Sequence, residues 1–297
     1  MNRTVFPGAL RRQIRSFVLI GLPLMVVMGA KTACILAETG EAIAQDRNEA
    51  LKVQRFELMR ERVAALTIQS DEPGFPDRFG TKPIFKYSDP ARRYVAASVW
   101  KLGDEGRPKA LLALELHRLN SGKPSISYEY ASLTKTPFAM SEQKLIWSPK
   151  GTLYQFSRIP DAAPPEKTAA LRLIQLRSLA KRFASNEVVN KEKCELRLLP
   201  QPVARYIPSS VERADGAIFF FTFGTNPEVV LLIESDGQAW EYAAGRMTGA
   251  EEVILTLDNK TVWEGAPLQP GLHSPFTGDT KAVDIPGIAS DGSEIRE

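Results

Sequence analysis

The chain has 297 residues, 43% hydrophobic and 25% charged, a profile that excludes overall disorder and suits one large or two ordinary domains. Its net charge of +3 is local: Arg3, Arg11, Arg12, Arg15 and Lys31 all precede the first acid, Glu38, and the rest holds 33 basic against 35 acidic residues. A nearly neutral body carries no electrostatic footprint for nucleic acid, so no DNA or RNA partner is expected.

The N-terminus has the parts of a secretory signal. A basic region through Arg15 is followed by an apolar run, Phe17 to Ala30, that is shorter than the roughly 18 residues a membrane span needs. Small-residue cleavage patterns place the cut after Ala37 or after Ala44. The rival reading is an uncleaved anchor in which the run extends to Ala37 across Lys31, and then the membrane is touched only through this segment. Arg11-Arg12 fits a twin-arginine signal poorly, and Lys31 spoils the apolar approach that a lipidated Cys34 would want. Once the signal is removed, Cys194 is the one remaining thiol. It stands beside an apolar run with no histidine nearby, so it is expected to be a packed residue rather than a nucleophile.

From Glu41 to Gln69 the spacing of Val53, Phe56, Met59, Val63 and Leu66 predicts one amphipathic helix. The Pro- and Gly-rich stretch 71–90 reads as a crossing loop. Strands are predicted over Tyr94–Leu102, Ala110–His117 and Ser125–Leu133, with shorter runs at Leu145–Trp147 and Leu153–Phe156. A second helix is predicted from Pro165 to Ala184, with Leu173, Leu176, Ala180 and Phe183 as its stripe. Further strands follow at Glu195–Leu199, Val203–Ile207, Ala239–Ala243, Val253–Leu257 and Thr261–Trp263. Past Gly265 the chain is rich in Pro, Gly, Asp and Ser, and is expected to be a disordered tail.

The strongest stretch is DGAIFFFTFGTNPEVVLLIE, Asp215 to Glu234, whose runs Ala217–Phe223 and Val229–Ile233 have the composition of a hairpin covered on both faces. Gly224 supplies turn freedom, and Pro227 belongs where no ladder donor is needed. Two strand-rich halves, 90–150 and 202–264, repeat one order of signals. Arg93-Tyr94 answers Arg205-Tyr206, Tyr128-Glu129-Tyr130 answers Trp240-Glu241-Tyr242, and Trp147 answers Trp263, at offsets of 112 to 116. The expected architecture is α+β: antiparallel β-sheet meanders, with two related halves as a further expectation, packed with two main helices. Its domains would be a signal or anchor over 1–44, a globular body over 45–264 and a tail over 265–297.

Chemistry is thinly signposted. The two histidines, His117 and His273, do not make a cluster, and no zinc, redox, hydrolase, dinucleotide or Walker motif is present. No cofactor, metal or catalytic residue is assigned. The residues best placed to touch a ligand are Arg205 and Tyr206, since an arginine at a strand entrance can hold a carboxylate or phosphate, and Asp215 and Glu228, whose carboxyls bracket turns. Paired acids could also cleave glycosidic bonds, if Asp215, Glu228 and Glu241 faced one cleft.

The runs LRLLPQPVARY, DGAIFFFTFGTNPEVVLLIE and WEYAAGRM, with the Trp147-Ser148-Pro149 signature upstream, resemble an uncharacterised family of exported proteins typical of planctomycete bacteria, over roughly Val53 to Trp263. The resemblance implies an envelope location and supplies no activity, cofactor or catalytic residue. The expected function is a non-enzymatic exported binding or scaffold module, periplasmic or envelope-bound, with a small ligand or an envelope partner. The alternatives are a carboxylate-dependent envelope hydrolase and a membrane-tethered assembly subunit that uses the first helix.

Overall fold

The computed structural model describes residues 26–118, 123–189, 191–249, 252–265 and 271–295, with side chains from Gln45 onward. The basic N-terminal region and most of the apolar run lie outside the described residues. Helix α1 (Val26–Ala64) is followed by β1 (Thr67–Gln69), β2 (Phe85–Asp89), β3 (Tyr94–Leu102), β4 (Ala110–His117), β5 (Ser125–Ser132), β6 (Ala139–Glu142), β7 (Lys144–Trp147) and β8 (Ser157–Arg158). Helix α2 (Ala169–Ala180) leads into β9 (Phe183–Val189), β10 (Glu192–Leu198), β11 (Ala204–Tyr206), β12 (Asp215–Phe223) and β13 (Asn226–Ser235). The chain ends in β14 (Trp240–Arg246), β15 (Glu252–Leu257), β16 (Lys260–Gly265) and β17 (Phe276–Ala282). Residues through Glu49 form one compact unit and residues from Ala50 a second, and the packing below is that of the second. Among the described residues no helix is long and apolar enough to cross a membrane.

Every strand pairing is antiparallel. A five-stranded sheet runs β17-β5-β4-β3-β2, a three-stranded one β1-β6-β7, and a nine-stranded one β16-β15-β9-β10-β12-β13-β14-β8 with β11 also against β12. Alternation along the central strands sorts their side chains into three cores. Ala97, Val99, Leu111 and Ala113 of the five-stranded sheet meet Ile218, Phe220, Val230 and Leu232 of the nine-stranded sheet in an inner layer. Trp100, Leu112, Leu114, Tyr128 and Tyr130 point the other way, onto Met59 and Val63 of α1 and Trp147 of β7. Phe219, Phe221, Leu231 and Ile233 point onto Leu176, Leu179 and Ala180 of α2. The body is therefore layered helix, sheet, sheet, helix.

The β12–β13 hairpin lies at the centre because it is covered on both faces. Of its strand residues only Phe223 is exposed, and burying each of Phe219, Phe220 and Phe221 contributes about 1.5–3 kcal/mol. Gly224 turns at φ +61°, and Pro227 lies beside the irregularity where Thr222 pairs with it, so the missing N–H costs no regular ladder bond.

Several boundaries differ from the sequence reading. Helix α1 begins before Glu41 and ends at Ala64, because Ile68 turns inward in a strand pairing with Met140. Val53 is 68% exposed, and Phe56, Leu58, Met59 and Val63 do the packing instead. Thr168 caps α2, its hydroxyl accepting from the Leu171 N–H at 3.3 Å, and Phe183 opens β9 rather than ending a helical stripe. The stretch 71–90 is not all loop, since β2 lies in it, and the run Leu153–Phe156 is not a strand. The expected tail is corrected most. Phe276 to Ala282 pair residue by residue with β5, a strand held by its backbone ladder and one buried aromatic rather than by an apolar run.

One order of elements occurs twice, with β10 inserted after the first strand of the second half: a helix, a strand, four strands in succession, then two more. In the first half β1 pairs β6 and β6 pairs β7, beside the run β2-β3-β4-β5; in the second β9 pairs β15 and β15 pairs β16, beside β11-β12-β13-β14. Ladder register matches as well. Leu102 opposite Ala110 corresponds to Phe221 opposite Val229, and Val99 opposite Ala113 to Ile218 opposite Leu232, all at an offset of 119 (102 to 221, 99 to 218). Carried across to the next strand, this register sets Tyr128 against Tyr242 and Ile126 against Trp240, one strand repeat away from the Tyr128–Trp240 match read from the sequence.

Candidate functional site

At one end of the body three segments wall a cleft of about 480 Å³. The β3–β4 loop brings Arg107, Pro108 and Lys109; the chain after β5 brings Leu133 to Thr136; the chain before β8 brings Thr152 and Tyr154 to Phe156. Backbone hydrogen bonds lock the three together: the Leu133 N–H donates to Lys109 O at 2.9 Å, and the Leu153 N–H to Ser132 O at 3.2 Å. Two threonine turns shape the rim, where Thr134 Oγ1 accepts from the Thr136 N–H at 3.1 Å and Thr152 Oγ1 from the Tyr154 N–H at 3.2 Å. Tyr154 closes the floor over Gly245, where any Cβ would come within 2.8 Å of its ring.

Arg107 is set in place from behind. Its Nε donates to Glu234 Oε2 at 2.9 Å and its Nη2 to Glu234 Oε1, a bidentate fork, while its guanidinium lies 4.6 Å above the Phe156 ring. The Tyr206 hydroxyl donates to Glu234 Oε2 at 2.9 Å. Burial alone would lower the Arg107 pKa, but the Glu234 carboxylate overrides it and the guanidinium stays charged. Lys109 is 3.9 Å from Glu72 and sits over the Phe75 ring. Lys135 is exposed and has no carboxylate within ion-pair distance among the described residues.

A second polar group lies at the opposite end of β13. Arg92, from the β2–β3 turn, donates to Glu228 Oε1 at 2.5 Å and reaches Glu187 Oε1 at 3.5 Å. Tyr87 donates to Glu115 at 2.7 Å, and Asn226 to Glu228 at 3.1 Å. Burial pushes Glu115 up to about 7 and Glu228 up to about 8, with Glu187 adding to the second. Glu129 is raised too, first by burial and then by Glu115 and Glu228. Burial lowers His117 to about 4. Among the described residues no set of three or more His, Cys, Asp or Glu is arranged to hold a metal ion.

The sequence-nominated residues do not form one site. Arg205 and Asp215 come together, but as structure. Asp215 accepts from Arg205 Nη2 at 2.5 Å and from Arg172 Nε at 2.9 Å, and so ties β12 to α2. Tyr206 stands behind the cleft through Glu234. Glu228 belongs to the Arg92 group, seven residues along β13 from the Ser235 that faces Asp215, roughly 23 Å at strand rise. Glu241 sits opposite Glu234 on β14. Asp215, Glu228 and Glu241 therefore do not share a cleft. Arg93 is a turn residue at φ +66°, and Tyr94 packs edge-on against His117. Cys194 is half-buried. Arg107, Lys109 and Lys135 were missed, and the one sequence signal near them is the turn composition of residues 103–108, Gly-Asp-Glu-Gly-Arg-Pro, which carries Arg107. No family model, curated protein or solved structure matches the chain.

Proposed function

We propose that this is an exported, non-enzymatic binding module of the bacterial envelope, and that its ligand sits in the cleft walled by Arg107, Lys109 and Lys135. The observation that carries this reading is the presetting of Arg107. A buried glutamate and a buried tyrosine hold a guanidinium at the wall of an open concavity, an expensive arrangement for a surface that binds nothing. Export rests on the N-terminal signal, and the envelope location on the resemblance read from the sequence. The hydrolase alternative loses its motive with the separation of Asp215 from Glu228.

Tethering is kept as a second reading of the N-terminus. Helix α1 runs from Val26 through both candidate cleavage points, Ala37 and Ala44. The body-packed portion of α1 leaves only Val53 as a large exposed apolar side chain among its described residues, which favours a stalk over a partner-binding face.

Native mass spectrometry of protein taken from its own envelope tests the binding reading. A small-molecule adduct is expected on the wild type and a clearly weaker one on Lys135→Ala, whose side chain has no ion-pair partner among the described residues. An adduct undiminished in that variant would place the ligand elsewhere.

A further inference from the structure

We infer that the cleft takes an organic anion, a carboxylate or phosphate attached to a ring, an inference that rests on the binding reading above. The residues that line the cleft include three cations and no carboxylate. Charge matching behind the wall is incomplete. Glu234 answers Arg107, Glu72 answers Lys109 only at 3.9 Å, and no carboxylate among the described residues answers Lys135. Glu72 is also engaged, accepting from the Thr136 hydroxyl. One positive charge, that of exposed Lys135, is left over on the lining of a concavity backed by buried Leu133 and Tyr154.

Arg107 and Lys109 stand two residues apart on one loop, and Lys135 comes from the facing segment, so an anionic group entering between them is approached from both sides. The fork to Glu234 uses the Nε–H and one Nη2–H of Arg107, so its remaining Nη hydrogens are what it can offer the ligand, while Lys135 offers its whole ammonium. Phe156 supplies the apolar wall beneath the guanidinium, which fits a planar ring next to the charge. The division of labour follows from the geometry: Lys135 contacts the anion, Arg107 contacts it in a fixed orientation, and Tyr206 with Glu234 sets that orientation.

The test is a titration of the full chain with phenyl phosphate, inorganic phosphate and phenol, followed by backbone resonances of 107–109, 133–136 and 152–156. Phenyl phosphate is expected to shift those three segments, with phosphate weaker and phenol weaker still. Lys135→Ala should weaken phenyl phosphate roughly ten-fold, as loss of one charge-assisted contact does, and added salt should weaken it further. Tyr206→Phe, which touches no ligand, should weaken it less. Phenol filling the cleft as tightly as phenyl phosphate, without salt dependence, would overturn the anion inference and leave the binding reading standing. Shifts confined to other surfaces for every probe would overturn both.

Discussion

Tyr206 donates its hydroxyl to Glu234 across 2.9 Å, and the same bond recurs in the first half of the chain, where Tyr87 donates to Glu115 across 2.7 Å. Both bonds span 28 residues, and both residue pairs are related by the offset of 119 (87 to 206, 115 to 234) that also aligns the hairpin ladders. Similar hairpins can arise separately, but a buried tyrosine and a buried glutamate at matching register positions are a costlier coincidence. We propose a duplicated unit of one helix and seven strands, with β10 as an insertion in the second copy, whose copies pack sheet to sheet. Their tyrosines differ in what they support: Tyr206 backs the cleft through Arg107, and Tyr87 backs the buried acid group.

The two bonds should matter to stability alike. Tyr87→Phe and Tyr206→Phe are each expected to cost about 1–2 kcal/mol in urea unfolding, the worth of a buried hydrogen bond to a carboxyl group. Since the pairs share no partner, the double variant should lose the sum. A neutral Tyr206→Phe would mean that Glu234 is fully served by Arg107.

Gly216 is required by Tyr206. A Cβ there would lie 2.3 Å from the ring that packs over it, too close for any small adjustment. Gly216→Ala is expected to destabilise by about 1–3 kcal/mol or more, and to weaken cleft binding along with it. Its first-half counterpart, Ala97 opposite Tyr87, already carries a Cβ, so the closer approach belongs to the second half alone.

Stability should fall as pH rises above neutrality. A carboxyl whose folded pKa exceeds its unfolded value of 4.5 binds more protons in the folded state, so its contribution is full below 4.5 and is lost as pH climbs through about 7 for Glu115 and about 8 for Glu228. His117 acts oppositely. Lowered from 6.5 to about 4, it favours the folded state above 6.5 and withdraws that support as pH falls toward 4. Between 6.5 and 8 only the glutamates of this group act, and urea midpoints there should decline. Glu228→Gln should flatten that decline, and an unchanged slope would show that Glu228 is already ionised.

Around α2 the order of costs follows burial. Asp215→Ala leaves Arg172 facing a site without its counter-charge and should cost about 3–5 kcal/mol. The Arg205 side chain is 32% exposed, so Arg205→Ala should cost about 1 kcal/mol or less. Thermal unfolding of the two variants side by side checks the ranking.

N-terminal sequencing of envelope material decides between delivery and tethering. Chains beginning at Glu38 or Gln45 are expected if the segment is removed, and an intact N-terminus if it anchors.

What could be read from the sequence follows from where each element draws its stability. Phe219 to Phe221 and Val229 to Ile233 announce a strand pair covered on both faces, because burial there leaves an unbroken apolar run. Strands β6, β9 and β17 give no such sign: Ala139–Glu142 is short and mixed, Phe183 reads equally well as the end of a helical stripe, and Thr277–Ala282 is polar and held by its ladder to β5. Tyr206 could be nominated as a residue but not given a role, since Arg107 lies 127 residues from the Glu234 that orients it. Long-range ion pairs leave no local periodicity. Arg205 shows the converse, an arginine at a strand entrance whose anion proved to be the chain's own Asp215.

The binding claim is tested most directly by hydrogen–deuterium exchange of the full chain with and without a small-molecule extract of the envelope. Slowed exchange confined to 107–109, 133–136 and 152–156, and reduced in Lys135→Ala, is the expected result. Protection that appears instead between Lys144–Trp147 and Gly271–Lys281, or an exchange map that the extract leaves untouched, would contradict it.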